Sequence, residues 1–262
     1  DNGIAPPQTL DEMKAVVEKL KAAGQTPFLL AYQESRVPQL MTALSIGGTV
    51  SSEHPDWISK MNKGEASYND IASIFDIIDL INANGTAKPF EVGSGQGSTD
   101  FANGKAAMWI QGPWMAESIL KAKPDFEFGV APLPVGNNPA GTMINLATST
   151  SLAVSSTSSN PEVAKDLVNF ILDDQASSAL FEELKFNPIA TIHNYEMFPW
   201  IQEATSYVSQ GKAYLDLQMP PGVTDEQAKL LQSYYSKDVS KEQFIKTMDA
   251  TWAKAVKAAG GQ

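Results

Sequence analysis

The chain has 262 residues, of which 43% are hydrophobic, so it can bury a sizeable core as one large domain or two smaller ones. Its formal net charge of −11 argues against nucleic acid and anionic membranes as partners, because both require a clustered basic face. The absence of cysteine excludes disulfides and thiolate metal sites, and the two histidines, His54 and His193, lie far apart without metal-ligand spacing.

The first part of the chain is predicted to alternate helices with a strand. Residues 9–12 form a capping box that opens a helix, and Gly24 ends it. The apolar run 28–32 predicts a buried strand. A second helix is expected over residues 34–46, ending at the glycine pair 47–48.

The next segment holds the clearest helical pattern. Apolar residues recur at helical spacing over 71–81, and the helix is expected to end at Gly85. The glycine-rich stretch 93–98 predicts a flexible loop. It lacks both the Lys-Ser/Thr ending and the preceding strand of a phosphate-binding loop.

Residues 101–114 are the most informative part of the chain. Gly104 is placed to end a helix, and residues 106–110 predict a short buried strand. Gly112 then turns the chain, and Pro113 suits the first position of a new helix. Trp114 is therefore expected on the rim of a strand-to-helix turn, where open α/β folds bind ligands.

The second half is predicted to be mainly helical. Residues 150–155 look like a strand, and Asn160 with Pro161 starts a helix. That helix carries an apolar stripe made of Val163, Leu167, Phe170 and Ile171. After a break at Asn187 and Pro188 the chain reads as mostly helical from about residue 196, and a second capping box at 240–243 opens the last helix. Strands that alternate with helices favour an α/β fold with a mainly parallel sheet.

The segment F-A-N-G-K-A-A-M-W-I-Q-G-P-W at 101–114 closely resembles the "F-x-x-G-K-A-A-M…G-P-W" segment of family 1 extracellular solute-binding proteins, the sugar-binding components of ABC importers. Four more segments resemble that family in the same order: residues 1–24, 128–136, 148–174 and 248–257. The resemblance implies a periplasmic-binding-protein-like, class II type, two-lobe α/β architecture. One departure is Leu10, where the family usually has tryptophan.

The resemblance also implies a division of the chain. Family members carry a long segment before the one that opens here, and it builds most of their N-terminal lobe. By this likeness, residues 1–133 and 189–262 are expected to form the C-terminal lobe. Residues 134–188 are an excursion into an N-terminal lobe that is otherwise absent. The apolar stripe from Val163 to Ile171 then expects a complementary N-terminal-lobe segment as its partner.

In this family the tryptophan of the G-P-W motif stacks on a sugar ring, which makes Trp114 the first candidate ligand contact; the alternative is a core tryptophan. The turn after the first strand supplies Tyr32, Gln33, Glu34 and Arg36 as further candidates, with polar groups suited to sugar hydroxyls. The alternative there is a solvated helix start with a Glu–Arg pair.

Three residues further along the chain are weaker candidates for ligand contacts. They are Asn145, Asp216 and Gln218, and each is equally consistent with an ordinary loop residue. Tyr214 and Thr148 are equally weak candidates for ligand contacts.

The leading hypothesis is an extracytoplasmic protein, periplasmic or a cell-surface lipoprotein, that captures a carbohydrate and delivers it to an ABC permease. We expect no cofactor, metal or catalytic residue, because the G-x-S-x-G elbow of hydrolases is absent and two isolated histidines argue against a catalytic triad. Three alternatives stay open. The chain could be a glycoside hydrolase, a binder of a non-sugar solute such as a polyamine or glycerol phosphate, or an interaction fragment that binds no ligand alone.

Overall fold

The computed structural model describes residues 3–146, 151–186, 190, 192–193 and 195–260, and within them the chain is rich in helix with short strands. The helices are α1 Leu10–Ala22, α2 Arg36–Glu53, α3 Trp57–Lys63, α4 Ile74–Ala83, α5 Ser94–Ala102, α6 Ala116–Ala122, α7 Pro161–Asp173, α8 Ser178–Glu183, α9 Pro199–Ser209, α10 Val223–Tyr235 and α11 Lys241–Ala258. The strands are β1 Phe28–Leu29, β2 Met108–Trp109, β3 Ile144–Leu146 and β4 Ala213–Leu215.

The strands pair in parallel, as predicted. β1 lies beside β2 and β3 beside β4, so the described residues contain two small sheets instead of one continuous sheet. β4 falls in the part of the chain predicted to be mostly helical. Its three residues are a strand only because β3, far away in sequence, supplies the partner, and no local pattern announces such a pairing.

One large hydrophobic core holds most of the buried side chains. It is built by α1, β1, α2, α3, α4, α10 and α11, and its centre is aromatic. Trp57 meets Trp252 and Tyr68 edge-to-face, with ring centroids 5.3 and 5.2 Å apart. Both indole N–H groups are satisfied: Trp57 donates to the Ser67 carbonyl and Trp252 to the Asn62 side chain.

Both predicted capping residues cap their helices. The Thr9 hydroxyl accepts from the Glu12 amide, and Ser240 does the same for Gln243, each at 3.2 Å. The first capping box is only half formed, since the Glu12 carboxylate accepts from the amide of Gln8.

The prediction that the second helix ends at Gly47 and Gly48 is wrong, because α2 continues to Glu53. The glycines serve close packing instead. The Tyr214 ring occupies the space that a Cβ on Gly47 would need, and the Gly141 carbonyl oxygen lies 2.8 Å from the Cβ position of Gly48. Close approaches by Tyr214 on β4 and by the turn Pro139–Gly141 therefore explain the two glycines, and the favourable i to i−4 bonding of the helix is kept.

The glycine-rich stretch 93–98, predicted as a flexible loop, is helical from Ser94 onward as α5. Two contacts made far away in sequence stabilise it. The Glu34 carboxylate accepts from the Ser94 amide, and the Trp109 ring packs over Gly97. Weak intrinsic helix propensity is overridden here by tertiary contacts.

The region 139–215 is built differently. α7 begins at Pro161 as predicted but buries none of its residues. The strand expected at 150–155 does not form over its described part, 151–155, while Thr150, Asn187 and Pro188 lie outside the described residues.

Among the helices of the described chain, none combines the length and apolar character that a membrane span requires.

Candidate functional site

The carboxyl ends of β1 and β2 meet at one edge. The two strands are parallel, with Phe28 opposite Met108 and Leu29 opposite Trp109. The turns that follow them, 30–36 and 110–114, therefore leave the sheet on the same side. In open parallel sheets this is the edge at which ligands bind.

Trp114 is presented to solvent at this edge. Its side chain is 45% exposed, although tryptophan is usually well covered. Pro113 to Met115 form a 3₁₀ turn that leads into α6, and the indole folds back over Gly112. Any side chain at position 112 would displace the ring, so Gly112 positions Trp114.

Two neighbours of Trp114 add polar groups that the sequence did not single out. The indole N–H of Trp109 and Oε1 of Gln111 are buried and make no hydrogen bond within the described part of the chain. Gln111 directly precedes the Gly-Pro-Trp turn, and that position at a strand end was the available signal.

Glu34 holds the start of a helix and does not pair with Arg36. Both carboxylate oxygens accept from the Ser94 amide, at 3.1 and 3.0 Å, and one also accepts from the Ser94 hydroxyl at 3.2 Å. A carboxylate at a helix N-terminus is favoured by the partial positive charge there. The alternative of a Glu–Arg pair is thereby excluded.

Arg36 is left available by this arrangement. It is exposed at the first residue of α2, and within the described residues it makes no ion pair or hydrogen bond through its side chain. Its guanidinium group can therefore donate to an incoming hydroxyl or carboxylate without breaking an existing contact.

Tyr32 is a core residue in this structure. It is 3% exposed, its ring stacks on Tyr235 at 4.8 Å, and its hydroxyl donates to Asn82 at 2.7 Å. Burial raises the pKa of the Tyr32 phenol well above its usual value. The next residue, Gln33, is exposed and lines an open cavity, so the polar contact offered by this turn comes from Gln33 and Arg36.

The later candidates form a separate group at the second sheet. The Asn145 side-chain amide donates to Asp216 at 2.8 Å, across the β3–β4 pair. Gln218 is exposed two residues further on. Between them, Tyr214 is buried, and burial followed by the nearby Asp216 charge raises the pKa of its phenol. Thr148 lies outside the described residues.

The two groups sit at different places along α2. Arg36 opens that helix, whereas Tyr214 packs on Gly47, eleven residues later. At 1.5 Å per residue the two positions are about 16 Å apart along the helix axis. The structure therefore joins Gln33, Glu34, Arg36 and Trp114 at one sheet edge, and Asn145 with Asp216 at another. Among the described residues, no group of three His, Cys, Asp or Glu side chains gathers as a metal site.

Comparison with known proteins finds one matching family and similar curated proteins. The family described as bacterial extracellular solute-binding protein matches residues 1–177. An uncharacterized ABC transporter extracellular-binding protein of Pyrococcus horikoshii is 28% identical over 202 residues, which are 71% of this chain and 40% of that protein. A multiple sugar-binding protein of Streptococcus mutans is 24% identical over 186 residues, which are 69% of this chain and 44% of that protein. The chain thus spans less than half the length of these curated relatives.

A solved structure shares the fold. The sugar transporter from Bacillus licheniformis in complex with stachyose superimposes with a TM-score of 0.81 at 17% identity, over 97% of this chain and 68% of that one. At this level of identity the likeness concerns the fold alone, and it confirms the periplasmic-binding-protein-like class predicted from the sequence.

Proposed function

Because the chain belongs to the family of bacterial extracellular solute-binding proteins, we propose that it is the ligand-binding part of a protein that captures a carbohydrate outside the cytoplasm and delivers it to an ABC permease. The protein would act in the periplasm or as a cell-surface lipoprotein. The names of similar proteins support a sugar as the ligand class: one is a multiple sugar-binding protein and another is held in complex with stachyose.

The observation that carries this proposal is the exposed indole of Trp114 at the carboxyl edge of β1 and β2. Sugars present apolar C–H faces that stack on aromatic rings and hydroxyl edges that need hydrogen-bond partners. Trp114 supplies the ring. The free guanidinium group of Arg36, on the turn that follows β1, supplies a polar contact at the same edge.

Each candidate then has a distinct role. Trp114 stacks on the sugar, Gln33 and Arg36 hydrogen-bond its hydroxyls, and Glu34 holds α5 in place while a carboxylate oxygen stays close to the ligand. Tyr32, which is buried, stabilises the turn that carries Gln33 and Arg36. Asn145, Asp216 and Gln218 contact the far end of a longer ligand, because about 16 Å along α2 separate the two groups.

We further propose that residues 1–133 and 189–262 form a C-terminal lobe and that residues 134–188 belong to an N-terminal lobe. Two observations support this division: the large core draws on α1 to α4 with α10 and α11, and α7 buries none of its residues. A complementary N-terminal-lobe segment would cover the apolar face of α7. Closure of two such lobes around the sugar would create the form that docks on the permease.

Titration calorimetry with raffinose, a neutral trisaccharide, tests the proposal on this chain. The wall around Trp114 contacts only one side of a ligand, so we expect weak binding in the millimolar class. Trp114→Ala should weaken it by about 1–3 kcal/mol, the scale of a lost aromatic contact.

The matched control is Phe170→Ala on α7. The two rings are equally exposed, at 45% and 46%, but Phe170 is far from the strand ends in sequence and carries no proposed ligand role. Its replacement should leave raffinose affinity unchanged. Equal affinities for wild type and Trp114→Ala would refute the stacking role.

The alternatives have their own readouts. The family consists of solute-binding proteins, and release of reducing sugar from raffinose would instead indicate a glycoside hydrolase. Saturable binding of spermidine or glycerol phosphate without raffinose binding would indicate a non-sugar ligand. If the chain binds none of raffinose, spermidine and glycerol phosphate and releases no sugar, it is an interaction fragment.

A further inference from the structure

A cavity of about 300 Å³ opens beside Gln33. Six residues line it: Tyr32, Gln33, Phe90, Gln232, Ser233 and Ser236. They come from the turn after β1, from a 3₁₀ turn at Pro89–Glu91 and from the end of α10. The Tyr32 amide donates to the Pro89 carbonyl at 2.8 Å and the Gln33 amide to the Val92 carbonyl at 3.1 Å. These bonds join two of its three walls.

The polar groups in this cavity are unused. The side-chain amides of Gln33 and Gln232 and the hydroxyl of Ser233 make no hydrogen bond to any other described residue. Ser236 differs, since its hydroxyl donates to the Asp238 carboxylate at 2.6 Å, and the Ser233 carbonyl lies 3.2 Å away as an alternative acceptor. Two amides and one hydroxyl are therefore available to both donate and accept.

The apolar part of the cavity is aromatic. Phe90 is 40% exposed. Among the described residues up to 145, only Phe90 and Trp114 are large apolar residues with exposed side chains. Its ring meets Tyr32 edge-on at 5.9 Å, and Tyr32 in turn stacks on Tyr235. This stack holds the Tyr32 ring that Phe90 contacts, so Phe90 rests on a side chain that is packed in the core.

None of the described residues that line the cavity is charged, which limits the ligand class. An anionic ligand would lose hydration without gaining a counter-charge, and that loss is expensive. A neutral polyhydroxylated molecule is matched instead, because its hydroxyls pair with amides and its C–H face rests on Phe90. A volume of 300 Å³ is at the lower limit for ligand pockets, which favours a single sugar ring over an oligosaccharide.

We infer that this cavity is a second carbohydrate-binding site, which holds one neutral sugar ring between Phe90 and the side chains of Gln33, Gln232 and Ser233. It extends the proposed function, on which its choice of ligand class rests. Gln33 lies between the two sites, because it lines this cavity and is also proposed to contact the sugar at Trp114; the other side chains of the two sites differ.

A nuclear magnetic resonance titration with glucose, followed in both places at once, tests the inference on the 262-residue chain. The side-chain amide signal of Gln232 reports on the cavity, and the indole N–H of Trp114 reports on the first site. Gln232→Leu and Trp114→Ala assign the two signals by their loss. Gln243, an exposed glutamine on α11, is the matched reporter outside both sites.

We expect the Gln232 amide to shift in a saturable way with a dissociation constant in the millimolar class, while Gln243 stays unchanged. Ser233→Ala should weaken this binding about three- to tenfold, the usual consequence of losing one hydrogen bond. Phe90→Ala should weaken it by a similar factor without changing the rest of the spectrum. Glucuronate, the anionic counterpart of glucose, should bind at least tenfold more weakly.

The outcomes separate the two proposals. A shift at Trp114 alone overturns the second site and leaves the proposed function intact. A shift at Gln232 alone supports the second site and overturns the stacking role of Trp114. If neither signal shifts at glucose concentrations far above millimolar, both are overturned, and glucuronate binding equal to that of glucose would refute the neutral ligand class.

Discussion

α4 and α7 have the same kind of sequence and opposite environments. Both carry an apolar stripe at helical spacing. In α4 the five apolar residues from Ile74 to Ile81 that face the core are at most 1% exposed. In α7 Val163, Leu167 and Phe170 are 69%, 59% and 46% exposed. The stripe predicts where a helix forms and which face is apolar, but not whether another element covers that face.

The contrast extends to the regions around the two helices. The large core draws its buried side chains from residues 10–81 and 223–252, whereas among the described residues ten of the twelve exposed large apolar side chains fall between 146 and 215. The first region therefore has its own source of stability, and the second depends on a cover for its apolar face.

Hydrogen exchange should show the largest difference between the regions. Amides in α4 should open only by global unfolding, and those in α7 by local opening, because α7 has no buried side chain. Since a whole domain is stable by about 5–15 kcal/mol, the gap should amount to several kcal/mol. Native-state exchange followed by mass spectrometry measures it. Comparable protection of the two helices would show that α7 is covered in solution.

Truncation of Trp252 should cost the next largest amount. The side chain is fully buried among Trp57 and Tyr68, so Trp252→Ala leaves a cavity and is expected to lower the free energy of unfolding by about 3–5 kcal/mol. Phe170→Ala on α7 should stay within about 0.5 kcal/mol. Urea unfolding compares them, and a similar loss for both would break the contrast.

Alkaline pH should weaken the first region through its buried tyrosines. Burial raises the pKa of Tyr32 and Tyr68 well above the unfolded value near 10. Above pH 10 the unfolded chain loses these protons while the folded chain keeps them, so stability is complete below that pH and falls as the pH rises. The slope should be about 1.4 kcal/mol per pH unit for each tyrosine.

Tyr68→Phe sharpens this test because it removes one titrating phenol from the core. Its hydroxyl is buried, with Gln227 as partner at a weak 3.4 Å. Urea midpoints measured between pH 9 and pH 11 should fall less steeply for the variant than for wild type. Parallel curves would mean that Tyr68 ionises equally in both states.

Replacing an exposed leucine on α7 should have the smallest effect on stability. Leu167→Ser is expected to change the free energy of unfolding by less than about 0.5 kcal/mol. It should nevertheless reduce concentration-dependent association in light scattering, because a contiguous exposed apolar patch promotes association between molecules. Asn169→Ser, an exposed polar position on the same helix, is the control. Identical association of wild type, Leu167→Ser and Asn169→Ser would show that the apolar face of α7 does not promote self-association.

Much of the candidate site could be predicted, and the failures have physical causes. The Gly-Pro-Trp turn is encoded locally, so the placement of Trp114 on a strand rim followed from its neighbours. Tyr32 has a polar end that suggested ligand contact, yet Asn82 and Tyr235 claim it, and both are distant in sequence. Glu34 was expected to face ligand or Arg36. It holds the start of α5, within the stretch 93–98 that the sequence predicted as a flexible loop.

The sequence by itself determined the helix starts at Thr9, Pro161 and Ser240, the apolar stripes, and the solute-binding family. These depend on interactions within a few residues or on a motif that can be read directly. Tertiary structure alone decided that β4 is a strand, that α2 runs through Gly47 and Gly48, and that Gln33 shares a cavity with Gln232. Each of these rests on a partner brought close from far along the chain, and burial energy gained there outweighs local preference.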